Sequence, residues 1–88
     1  MESYVVIVNT VANIDQRENG NVISYRNRTL QTFSNYDEAV GLAKREQRNL
    51  RAGTRSDDTN NDSLYVCKKD RGGMKSLRRL TYNTDNMI

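Results

Sequence analysis

Four cations crowd the second half of a predicted helix, in "LAKREQRNLRAG" (42–53): Lys44, Arg45, Arg48 and Arg51, opposed only by Glu46. Helical spacing puts Lys44, Arg48 and Arg51 on one face at i, i+4 and i+7, with Arg45 beside them. Gln47 sits where this basic stripe meets the core stripe. Such a face can grip an acidic or anionic surface, and it equally fits a solvated amphipathic helix. A second cluster lies in "KKDRGGMKSLRR" (68–79). There Lys68, Lys69, Arg71, Lys75, Arg78 and Arg79 face only Asp70, a local +5 in a chain of net +3. Segregated charge is the footprint of an anionic partner, although lysines that guard a sheet edge give the same pattern. On a nucleic acid these six would contact phosphates, which positions a protein without reading sequence. Tyr25, Tyr65 and Tyr82 either stack on bases or serve as half-buried sheet residues.

Other chemistries are poorly supplied. The chain has no histidine, which removes histidine bases, histidine triads and most zinc sites. Its one cysteine, Cys67, allows no internal disulfide and no thiolate cluster. That suits a reducing compartment, here expected to be a host cell cytoplasm. Asp57 and Asp58 have no neighbouring base, and there is no phosphate-binding loop. Asp58, Asn60 and Asp62 alternate as in a calcium loop, but Ser63 and Lys69 stand where its glycine and its final glutamate belong. The expectation is therefore no enzyme, no cofactor and no metal. No apolar run approaches the roughly 18 residues of a membrane span. "MESYVVIVNT" reads as a strand rather than a signal peptide.

The elements that must position the cations are legible. The 88 residues form one small domain over 1–82, with a flexible tail at 83–88. "YVVIVNTV" is rich in β-branched residues and apolar on both faces, so it predicts a central strand. Asn19-Gly20 signals a tight hairpin, with a second strand over about 22–28 that "TLQTF" either continues or ends in a bend. Ser34 or Asn35 can cap a helix. Tyr36, Ala39, Val40, Ala43, Gln47 and Leu50 then fall on one stripe as its core face. Gly53 predicts the stop. A polar loop follows, then a hairpin of "LYVCKK" and "MKSLRRLTY" about the turn "DRGG", whose second arm could also include a helical turn at "SLRRL". The predicted fold class is α+β: β-β-α-β-β, an antiparallel sheet of two hairpins with one helix packed on one face.

Three stretches, "YVVIV", "NIDQRENG" with Val22-Ile23, and "AVGLAKREQ", resemble a family of small phage anti-CRISPR proteins that inhibit the type I-F surveillance complex. That family has an aromatic-led first strand, a loop of N-I-x-x-R-E-x-G type, and a helix ending in a basic-Glu-Gln triplet. Here the triplet is Arg45-Glu46-Gln47. Val40 and Gly41 stand where the family is basic, and "RNRTLQTF" and "TRSDDTNNDS" are extra. The resemblance implies that Arg45 and Gln47 contact the subunits that hold the guide RNA. Lys44, Arg48 and Arg51 complete the expected partner-binding face. It also implies that other basic residues touch duplex DNA non-specifically. The expected function is inhibition of a type I CRISPR-Cas effector complex by blocking target DNA. The alternatives are a small basic, sequence-tolerant nucleic-acid-binding protein of phage or host, and an interaction module whose cations serve only solubility.

Overall fold

The β-branched run at the start of the chain forms β1 (Ser3–Arg17) in the computed structural model, which describes residues 2–18, 20–52 and 62–88. β2 (Gly20–Phe33) pairs antiparallel on one side of β1, and β3 (Ser63–Asp70) on the other. β4 (Gly73–Leu80) and a short β5 (Asp85–Met87) complete a five-stranded antiparallel sheet of order β2-β1-β3-β4-β5. Helix α1 (Tyr36–Glu46) packs on one face and ends in a 3₁₀ turn, Gln47–Asn49. The α+β expectation holds, and β1 is the central strand that its two apolar faces predict.

Several boundaries differ from expectation. Arg17 pairs with Gly20, so Gly20 belongs to the ladder rather than to the central pair that the Asn19-Gly20 signal implies; Asn19 lies outside the described residues. Gly20 instead opens β2 with φ +117°, a backbone angle that a residue without Cβ takes freely. "TLQTF" continues β2, with Leu30 as the extra residue of a bulge, and "SLRRL" is strand. Residues 83–88, expected as a loose tail, include β5, which pairs with β4. Arg78 and Asp85 provide the cause, since a bidentate ion pair ties the two strands. The helix stops short of the expected Gly53, because the 3₁₀ turn ends at Asn49 and Leu50 is already extended; Gly53 itself lies outside the described residues. So do Asp57, Asp58 and Asn60, and with them the calcium and paired-aspartate motifs.

The core sits between α1 and the sheet. Ala39 and Ala43 are fully buried and Val40 nearly so, against Val6, Leu64, Val66 and Leu80. Two alanines at i and i+4 let the helix lie close to the strands. Asn35 Oδ1 caps the helix, accepting from Asp37 N at 2.8 Å and Glu38 N at 3.3 Å. This satisfies two amides that the first turn leaves without helical partners. Tyr4 meets Tyr36 edge to face, with ring centres 5.7 Å apart, which anchors the helix start over the end of β1. The sheet is unequal in length. β3 pairs only with Ser3–Asn9, so beyond Asn9 the β1–β2 hairpin continues as a two-stranded ribbon among the described residues.

Candidate interaction surface

The core stripe of α1 decides where its cations go. With Ala39, Val40 and Ala43 against the sheet, Lys44, Arg45 and Arg48 are exposed. Among the described residues no ion pair or hydrogen bond holds the side chain of Arg45 or Arg48. Arg45 leans back over its own helix, with a guanidinium nitrogen beside Gly41. Lys44 adds its charge to the field at Asp85.

Gln47 and Arg51, expected on the same binding face, both make contacts within the fold, although the Arg51 side chain stays largely exposed. Gln47 Nε2 donates to the carbonyls of Thr81 at 2.7 Å and Thr84 at 2.9 Å, so both amide hydrogens hold the β4–β5 turn. Arg51 and Asp62 close the ends of the segment between them. Asp62 Oδ2 accepts from Arg51 N and Nε, both at 3.3 Å, and Asp62 N donates to Arg51 O at 3.1 Å. Asp62 is 5 % exposed, and its Oδ1 has no hydrogen-bond partner among the described residues.

The hairpin cations do not form one patch. Paired residues in an antiparallel ladder share a sheet face. Lys68 pairs with Tyr4 and Lys75, and Arg78 with Val66, so these three lie on the helix side. Lys69 pairs with Met74 and Arg79 with Tyr65, on the opposite side. Arg71 is in the exposed turn. Three of the six are also engaged. Arg78 binds Asp85; Lys68 Nζ lies 3.0 Å from Glu2; Arg79 donates to Tyr65 OH at 3.2 Å and Ser63 Oγ at 3.0 Å. The hydrogen bond from Arg78 holds the Asp85 carboxyl below its usual range, and the one Lys68 donates to Glu2 raises its ammonium above its own usual range. Lys69, Arg71 and Lys75 remain, exposed around the hairpin tip.

These two basic sites are separate. The tip adjoins the start of β1, since Ser3 pairs with Lys69. The helix begins at that end with Asp37 and Glu38 in its first turn, and its cations belong to the last turn. Of the tyrosines, Tyr25 and Tyr82 are exposed and Tyr65 is half-buried under Arg79.

The sequence analysis missed Arg26 and Arg28. They pair with Thr10 and Val8 and line a cleft of about 280 Å³ between β2 and the helix end, with Glu46, Asn49 and Asp62. Their alternation on one edge strand is the signal that could have found them. Among the described residues no group of three or more metal-ligating side chains occurs, and no helix is long and apolar enough to cross a membrane.

Comparison with protein-family models, with curated proteins and with solved structures finds no match.

Proposed function

We propose that this protein is a non-enzymatic anti-CRISPR inhibitor, acting in the cytoplasm of a host cell. It binds a type I CRISPR-Cas effector complex through the outer face of α1 and obstructs target DNA by sterics and charge. The observation that supports this reading is the pair Arg45 and Arg48. Both are exposed, and among the described residues neither is paired, on a helix end that Gln47 locks to the β4–β5 turn. The helix backbone that carries them is fixed, and a planar guanidinium suits carboxylate or phosphate groups on a ribonucleoprotein. Gln47 contributes by fixing that helix end, since its amide donors are used on Thr81 and Thr84.

The test is co-elution with a purified type I effector complex, followed by capture of labelled target DNA. Co-elution with reduced capture is the expected result. Failure to co-elute, or capture at the normal level, refutes the proposal.

A second reading rests on Lys69, Arg71 and Lys75, which make no ion pair among the described residues at the hairpin tip, where Asp70 accepts from the Gly72 amide. It is sequence-tolerant duplex binding. It predicts association with naked duplex that weakens steeply with salt; absence of binding at low salt removes it.

A further inference from the structure

The sheet ends differently at its two sides. On one side the last strand is β5, only three residues long, and the backbone continues into an Ile88 N to Leu77 O hydrogen bond of 2.9 Å. On the other side the last strand is β2, fourteen residues long, with no proline anywhere in the chain. Among the described residues nothing pairs with its outer edge. Alternate backbone N–H and C=O groups there are open to another strand.

Charge selects the occupant. Arg26 and Arg28 project on the helix side of this edge, about 7 Å apart by strand geometry. Among the described residues neither has an acceptor, whereas the two acids of the adjoining cleft are held, Glu46 by Asn49 Nδ2 at 3.1 Å and Asp62 by Arg51. A second copy of β2 is a poor fit. Antiparallel pairing about Asn27 would set Arg26 beside the other copy's Arg28, and directly opposed like charges destabilise a ladder.

We propose that the outer edge of β2 is a strand-addition site for an extended acidic segment of a partner protein. The segment adds backbone hydrogen bonds along β2 and sets two alternate carboxylates on Arg26 and Arg28. This surface is distinct from the outer face of α1.

The probe is a short capped peptide of alternating glutamate and valine, read by binding affinity and by amide hydrogen exchange along β2. Binding should protect the outward-facing amides of β2. Methylating alternate backbone nitrogens of the peptide should abolish binding. Arg26→Gln with Arg28→Gln should weaken it about tenfold, the sum of two exposed charge pairs. Arg26→Glu with Arg28→Glu should transfer preference to a lysine-valine peptide, which also shows that the doubly substituted protein folds. The proposal is overturned if the peptide does not bind, if the methylated peptide binds equally, or if the double glutamine variant binds unchanged. Protection of the same amides by a DNA duplex, or by self-association of the free protein, would likewise overturn it in favour of that occupant.

Discussion

Gln47 Nε2 donates a 2.7 Å hydrogen bond to the carbonyl oxygen of Thr81, joining the end of the helix to the end of β4 across 34 residues. The same nitrogen reaches Thr84 O at 2.9 Å. The basic stripe of α1 therefore stands on a polar contact with the far side of the sheet, not only on packing. Gln47→Ala removes both bonds and leaves a part-buried carbonyl without its donor. A loss of about 1–2 kcal/mol is expected by urea unfolding. Faster amide exchange at Thr81–Met87 should accompany it. A variant with unchanged stability and lost partner binding would show that Gln47 acts through contact instead.

Asp85 makes stability depend on acidity in a defined direction. Its carboxyl is held below the usual range by the hydrogen bonds from Arg78, with Lys44 adding to the field. A depressed folded pKa means that the unfolded chain binds the proton first. The pair's contribution is therefore complete above the ordinary carboxylate value of about 4, and is lost as pH falls through the lowered folded value. Asp85→Asn should lower the urea midpoint at about pH 6, and the gap from the parent protein should close by about pH 2. A gap of the same size at both values would exclude this ion pair as its cause.

Arg45→Glu with Arg48→Glu should abolish inhibition of the effector and change folding stability by no more than about 0.5 kcal/mol, because both side chains are exposed and neither is paired among the described residues. Circular dichroism and thermal melting check the second half. Full inhibition by a folded double variant would remove α1 as the contact surface.

The hairpin cations separate by partner. Exchanging Lys69, Arg71 and Lys75 for glutamine should weaken duplex binding alike for every sequence. The log–log salt slope should fall by about three units if each cation meets one phosphate. Arg78→Gln should leave that slope nearly unchanged and destabilise the fold, since Arg78 is held by Asp85. Equal effects on the slope would mean that the pair opens on DNA.

Ala43→Leu tests the close approach of helix and sheet. Ala43 is fully buried beside Leu64 and Val66 in the core cluster, so extra methylenes must push the helix outward. A cost of about 1–3 kcal/mol in chemical denaturation is expected.

The sequence by itself determined the apolar run of β1, the helix, a cap at Ser34 or Asn35, of which the structure uses Asn35, and the core stripe. Each is a local matter of side-chain periodicity, β-branching and backbone satisfaction. Ala39, Val40 and Ala43 had to face inward because, with Tyr36, they recur on one apolar face of the helix. The same periodicity set Arg45 and Arg48 outward before any strand was placed. Tertiary structure alone decided which cations are available. Arg51, Lys68, Arg78 and Arg79 look like free charge in sequence, yet each meets a partner brought in by strand register or loop closure: Asp62, Glu2, Asp85, and Tyr65 with Ser63. Alternation along β3 and β4 then divided the basic run between two sheet faces, which linear charge density cannot show. β5 was equally hidden, because three residues carry little strand signal until Arg78 and the Thr81 turn hold them against β4. The open edge of β2 is a property of strand order, and strand order is written in no single segment.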